Sequence, residues 1–300
     1  MNFYQNSCIC GSTNSTTIYK TSDHNFKTTN YISDIKKCNN CGSIFPDVFP
    51  DTKSLDTAYS KYYTRELTSG SMSIKRKILR FLQGEFSYRS LIPGSKKILD
   101  YGCGSGDFLL EILKIRPEYN VFGSDISTPP EGYEDYFKFY ENENLKNINE
   151  KFDYITLSHV IEHVEDPEDT FTSLIEILED NGSIWIATPN SNSFLINEFG
   201  EYARDIDFPR HRLIFSHKNM KDALDRCGYD CKFLVPPLIN TFMCFFHCLR
   251  NLINDKSLPL HYRLRRSVFS TLKLINKHLI FYKKNLDTRS EIICIASKKI

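Results

Sequence analysis

The chain has 300 residues, 41% of them hydrophobic and 25% charged, and its 38 Lys and Arg balance 37 Asp and Glu to a net charge of +1. That length suits one domain of about 200 residues with a smaller attachment, large enough for a core. The balanced charge sets the chain as a whole apart from strongly basic nucleic-acid binders.

The N-terminus, MNFYQNSCIC, shows no basic region followed by an apolar run, so no secretory signal is read and a cytoplasmic location is expected. In that compartment ten cysteines point to metal ligands and buried small hydrophobes rather than to disulfides. Cys8-Ile-Cys10-Gly and Cys38-Asn-Asn-Cys41-Gly form two knuckle-like pairs separated by 27 residues. Each is followed by a glycine that permits a sharp turn toward a tetrahedral zinc, so Cys8, Cys10, Cys38 and Cys41 are the candidate ligands of a structural Zn2+. The first pair departs from the usual Cys-x-x-Cys, with Ser7 where the missing cysteine would stand, and His24 is an alternative ligand. Incidental cysteines in a small reduced module are the competing reading. Residues 1 to about 50 are rich in Asn, Ser, Thr and Lys, too polar to build a core unaided, which favours a metal staple. Residues 1–60 are therefore read as a zinc-ribbon-like module, and 61–95 as a helical lead-in with a helix over 72–91.

From Ile98 to Ile112 the sequence ILDYGCGSGDFLLEI reads as a buried strand that breaks through a glycine turn into a helix. Gly102, Gly104 and Gly106 allow a tight turn and a ligand's close approach to bare backbone. Asp125 ends the next predicted strand, 23 residues after Gly102, where an acceptor-only carboxylate can take both hydroxyls of a ribose. A dinucleotide fingerprint would place its third glycine one position later, and Asp107 puts negative charge where a phosphate would bind. A ligand with a ribose and a cationic or zwitterionic end fits better, and S-adenosyl-L-methionine has that shape.

Strands are predicted near 96–101, 119–125, 136–140, 152–157, 183–188, 229–235 and 290–297, alternating with helices. This predicts an α/β fold: a Rossmann-like, doubly wound seven-stranded sheet over 96–300, with the small N-terminal zinc-ribbon-like module ahead of it. Ligands of such sheets bind beyond the carboxyl ends of the strands. Ser158-His159-Val-Ile-Glu162-His163 leaves the fourth of these strands. Its His-x-x-Glu-His also matches an inverted zinc-peptidase signature, which needs a long helix rather than a strand end, and that reading is rejected. His211 lies in a loop ending at Ser216, a predicted helix N-cap. A histidine, with an unperturbed pKa of about 6.5, can accept a proton from a substrate hydroxyl; His211 and His163 are the candidates. A structural hydrogen bond is the competing role for each.

Residues 240–285 form a helical insert before the last strand, with apolar residues at helical spacing and basic residues set against Asp255. Either it is a helical cap with a solvated face, or a basic amphipathic surface for peripheral contact with a membrane or lipid-linked acceptor. The greasiest window, 233–249, is broken by Pro236, Pro237, Asn240 and His247, so no transmembrane helix is expected.

Asp100-Tyr-Gly-Cys-Gly-Ser-Gly106, Asp125, Phe152-Asp-Tyr-Ile-Thr-Leu-Ser-His-Val-Ile-Glu-His-Val164 and Gly182-Ser-Ile-Trp-Ile-Ala-Thr-Pro-Asn190 resemble the motifs of class I S-adenosylmethionine-dependent methyltransferases, in family order. The nearest resemblance is to the ubiquinone-biosynthesis O-methyltransferases and to bacterial sugar and natural-product methyltransferases that carry an N-terminal ribbon. It implies cofactor contacts from Asp100, the three glycines, Asp125, Asn142 on the adenine and Ser158 beside the methionine part. Glu162 and His163 match that branch's Glu-His pair, in which relatives hold a divalent cation with an earlier glutamate; here His159 replaces that glutamate. Tyr59, Tyr62 and Tyr63 either cover the cofactor or pack between modules.

The activity so implied is methyl transfer to a hydroxyl or carbon of a small molecule such as a sugar, polysaccharide precursor or natural product. Two alternatives compete. An RNA 2′-O-methyltransferase would use a pattern echoed by His159, Glu162, His163 and His211, but lacks its first glutamate here and faces a near-neutral chain. A non-catalytic nucleotide-binding scaffold would bind no S-adenosylmethionine.

Overall fold

The computed structural model describes residues 8–60, 97–126, 129, 132–141, 145, 148–276 and 286–299. The helix expected over 72–91, together with Tyr62, Tyr63 and Asn142, lies outside them. The chain divides into two compact units, one comprising 1–62, 189–220 and 238–292, the other 63–188, 221–237 and 293–300.

The second unit is built on a seven-stranded sheet. In chain order its strands are β4 (Lys97–Tyr101), β5 (Asn120–Asp125), β6 (Lys138–Glu141), β7 (Phe152–Ser158), β8 (Leu178–Pro189), β9 (Tyr229–Leu234) and β10 (Glu291–Lys298). They lie side by side in the order β6-β5-β4-β7-β8-β10-β9. β6, β5, β4, β7 and β8 pair in parallel, and β10 runs antiparallel to β9. All seven predicted strands are present. The sequence explains the parallel centre: KILDY, NVFGSD and FDYITLS are nearly continuous runs of buried residues, as a sheet covered on both faces requires. Helix α2 (Asp107–Ile115) buries Leu109, Leu110 and Ile112, and its apolar face joins Ile98, Val121, Tyr154 and Trp185 in one core.

Order reverses at β4, from which the chain moves outward to β5 and β6 and later returns to β7 on the other side. That is the switch point beside which ligands of such sheets bind. Helix α3 (Pro167–Glu176) follows β7 and is capped by Asp166, whose side chain accepts from the backbone of Glu168 and Asp169. Tyr229 of β9 reaches back to it, donating its hydroxyl to the Phe171 carbonyl at 2.8 Å.

The first unit begins with an antiparallel sheet of β1 (Ser15–Ser22), β2 (Ile32–Cys38) and β3 (Ile44–Pro46), with a bulge between Thr17 and Tyr19. A short helix, α1 (Thr52–Tyr59), follows. The rest comprises α4 (Phe194–Phe199), the start of α5 (His217–Arg226), α6 (Leu238–Asn254) and α7 (Leu260–Leu274). Its core joins Ile35 and Ile44 of the small sheet to Phe199, Tyr202, Phe208, Phe245 and Leu252. The expected N-cap at Ser216 is present, its hydroxyl accepting from Asn219 N–H at 3.0 Å. None of the described helices is long and apolar enough to cross a membrane.

Candidate functional site

β4 delivers the chain to a turn that only glycine serves well. Gly102, Gly104 and Gly106 have φ of +78°, +53° and +72°, in the left-handed region that costs other residues energy. Gly102 and Cys103 donate N–H to the Ser124 carbonyl at 2.6 and 3.0 Å, and Gly104 donates to Asp125 Oδ2 at 2.9 Å. The turn is thereby bound to the tip of β5.

Two glycines differ in what surrounds them. A Cβ on Gly102 would lie 2.3 Å from Cγ2 of Val160, so the loop after β7 packs directly on bare backbone. Among the described residues, a Cβ on Gly104 would meet nothing within 4 Å. The turn thus leaves bare backbone open beside the buried side chain of Asp125. Cys103 Sγ turns inward, near enough to Gly123 that a side chain there would collide with it.

Asp100 is buried, and Oδ1 accepts from the Thr156 hydroxyl at 2.7 Å. Burial, with a further contribution from the Asp125 charge, pushes the Asp100 carboxyl up to about 7 against the opposing effect of Thr156. Glu162 is also buried. Oε1 lies 3.2 Å from His159 Nδ1, and Oε2 accepts from the Thr188 hydroxyl at 2.9 Å. His159 has φ of +56°, a conformation rare for a residue with a side chain, and is held by its N–H to the Ala187 carbonyl at 2.8 Å. A strained residue just past Ser158, beside a fully committed carboxylate, fixes the backbone at the carboxyl end of β7. Thr156 and Thr188 escape sequence reasoning. Their signal is a hydroxyl inside an otherwise apolar buried strand, which needs a partner.

His211 belongs to the first unit. It is buried, its Nδ1 2.8 Å from the Asp205 carbonyl and its Nε2 3.9 Å from Asp207 Oδ2. A carbonyl only accepts, so Nδ1 carries the proton, and in the neutral ring Nε2 holds the basic lone pair. The loop carrying it is locked by Arg210, wholly buried, which donates to Asp207 through Nε and Nη2 at 3.0 and 2.8 Å. It also donates to Asp23 through Nη2 and Nη1 at 2.6 and 3.3 Å, and to the Ala58 carbonyl. Its guanidinium lies 4.4 Å from the Phe26 ring centroid. Burial alone would raise the Asp23 carboxyl, but Arg210 and Thr28 hold it down to about 2. Nothing local in the sequence marks this pairing of residues 187 positions apart.

The four N-terminal cysteines converge, all Sγ atoms within 4.8 Å of one another. Cys8 Sγ is 3.4 Å from Cys41 Sγ, and Cys10 Sγ 3.6 Å from Cys38 Sγ. A tetrahedral Zn–S bond of about 2.3 Å places sulfurs about 3.8 Å apart, so the set has the dimensions of a zinc site. The shortened first pair makes its turn nonetheless, Gly11 N–H meeting the Cys8 carbonyl at 2.8 Å as Gly42 N–H meets that of Cys38 at 2.9 Å. The Cys8 thiol beside it, with backbone and hydroxyl contacts at Ser43, holds Cys41 down to about 5 despite burial, while the same pairing pushes Cys8 up. His24 is not among these ligands; it lies against the Tyr202 ring at 4.9 Å. The second knuckle is tied to the rest of its unit: Ser216 Oγ donates to the Cys41 carbonyl at 2.5 Å, and Asn219 Nδ2 to Ser43 Oγ at 2.8 Å.

A glycine turn at the switch point, an acid at the tip of the next strand and a seven-stranded sheet ending in an antiparallel pair define the class I S-adenosylmethionine-dependent methyltransferase fold. A family model described as a methyltransferase domain matches residues 71–232, more than half of the chain, and the chain belongs to that family.

Over 108 residues the chain is 31% identical to the ubiquinone biosynthesis O-methyltransferase of Dechloromonas aromatica, covering 32% of this chain and 46% of that protein. The corresponding enzyme of Hahella chejuensis is 30% identical over 120 residues, covering 36% and 49%. The chain thus spans about half the length of the curated relatives it matches. A solved structure of a SAM-dependent methyltransferase from Archaeoglobus fulgidus is similar with a TM-score of 0.46 and 21% identity, over 83% of this chain and 100% of that one.

Proposed function

We propose that this protein transfers a methyl group from S-adenosylmethionine to a hydroxyl, or a carbon, of a small molecule such as a sugar, a polysaccharide precursor or a natural product. The observation that carries the cofactor half of this reading is the open space at Gly104, held beside Asp125 by the 2.9 Å hydrogen bond between them. The acceptor half is supported by the ubiquinone biosynthesis O-methyltransferases, whose name gives them an oxygen as target.

Asp125 accepts the ribose hydroxyls, and Gly102, Gly104 and Gly106 let the ligand lie on backbone. Asp100 and Ser158 border the amino-acid end, with Asn142 on the adenine. The cofactor, when bound, supplies a methyl made electrophilic by its sulfonium. The chain's task is then to align the acceptor and take its proton. His211 suits that role because Asp205 holds the Nδ1 proton and leaves basicity at Nε2. His163 is the second candidate base, and Glu162 the residue that fixes the backbone just after β7. Cys8, Cys10, Cys38 and Cys41 hold a structural zinc.

A methyl-transfer screen with labelled S-adenosylmethionine against nucleotide-linked sugars and phenols tests the reading. Label transferred to an oxygen or carbon of one of these supports it. Tight S-adenosylhomocysteine binding with transfer only to RNA would replace the acceptor class, and no binding at all would leave a scaffold.

A further inference from the structure

Helix α7 turns Ser270 and Leu274 into the interior of its unit. At 100° per residue, Leu260, Leu264, Ile275, Val268 and Leu272 fall in that order on one arc of about 120°, which runs from beside the buried edge at Leu274 round to the far side of the helix. All five are exposed, Leu260, Val268 and Leu272 by 59%, 60% and 57%. Tyr262 and Phe269, also exposed, lie next to that arc. A surface helix normally reverses this pattern, with its polar side in water, and an apolar face of this extent marks an interaction surface.

The charge carried by α7 itself is of one sign. α7 carries Arg263, Arg265, Arg266 and Lys273 and no acid. Over 238–276, Arg250 and Lys256 add to these against Asp255 alone. Lys273 pairs with Glu198 at 2.8 Å, and Arg266 donates to the Glu198 and Phe199 carbonyls, so these two brace the helix. Arg265 instead lies over the exposed Phe269 ring at 5.6 Å, a long cation beside the apolar arc.

We propose that α7 is a docking helix for an anionic lipid surface, lying in the plane of the interface with Leu260, Leu264, Val268 and Leu272 toward the acyl region and Arg265 at the headgroups. Charge selects this occupant over a second copy of the chain. A two-fold pairing of the face would bring each Arg265 toward like charges with no acid on the helix to meet them. The inference is independent of the methyl acceptor and of cofactor binding.

Sedimentation of the full chain with vesicles of phosphatidylcholine, with and without phosphatidylglycerol, tests it. The protein is expected to pellet with the mixed vesicles, more weakly as salt rises, and to stay in solution with phosphatidylcholine alone. Leu264→Glu with Val268→Glu, at exposed positions, should lower the bound fraction about tenfold while S-adenosylhomocysteine affinity and melting temperature hold. Failure to pellet with the mixed vesicles overturns the proposal, as does equal pelleting by parent and double variant or by both vesicle types. A parent dimer in light scattering that the double variant abolishes, without vesicle binding, would assign the face to self-association instead.

Discussion

The hydroxyl of Thr156 donates to Asp100 across adjacent strands at 2.7 Å, and both residues are buried. A carboxyl in that position is costly to ionise, which is why it is pushed up to about 7. Unfolded, it titrates at about 4. Between these values the folded protein keeps a proton that the unfolded chain has released, so this group's contribution to stability falls as pH rises from about 4 to about 7. Asp100→Asn keeps the acceptor for Thr156 and removes the titration. Thermal melts should show the variant gaining on the parent as pH rises to 8, with little difference at pH 4; parallel curves across the range would contradict the assignment.

Arg210 is the counter-case, a buried cation with two carboxylates. Arg210→Met leaves Asp23 and Asp207 without it and should cost about 3–5 kcal/mol in denaturant unfolding. Because Asp23 is held below its ordinary value, its stabilising contribution is complete above about pH 4 and is lost as pH falls through about 2. Asp23→Asn should therefore flatten the acid limb of the stability profile; an unchanged limb would show that the pair carries no linkage.

The cysteine cluster predicts a metal content. Protein purified without chelator should hold a single zinc by elemental analysis, lost in Cys38→Ser, with chelation lowering the melting temperature. Four readily titratable thiols and no metal in native protein would count against it.

With an acceptor in hand, His211→Ala should lower turnover by about 10²–10⁴ while S-adenosylhomocysteine affinity is retained, the pattern of a lost general base. Equal loss of cofactor binding would make its role structural.

The parts of the fold that were legible in the sequence are those whose partners lie close along the chain. The strand, turn and helix from Ile98 to Ile112 carry their own periodicity, and the Gly104–Asp125 tie spans only 21 residues. The cysteine pairs were readable from spacing because metal chemistry demands it. Arg210 with Asp23, and Thr188 with Glu162, were not: each is an ordinary polar residue until the fold brings its partner across. The insert shows a different limit. Helical spacing marked apolar residues over 240–285, but only the fold shows that α7 buries the side bearing Ser270 and Leu274.

The central claim is that the Gly104 cradle and Asp125 bind S-adenosylmethionine. Calorimetric titration of S-adenosylhomocysteine into the parent, Gly104→Val and Asp125→Ala tests it most directly, with melting curves to establish that each variant folds. Saturable binding to the parent, abolished in Gly104→Val and weakened about 100-fold in Asp125→Ala, from two hydrogen bonds to a charged group at about 1.5 kcal/mol each, is the predicted result. A folded Gly104→Val that binds as tightly as the parent, or a parent that does not bind, would contradict it.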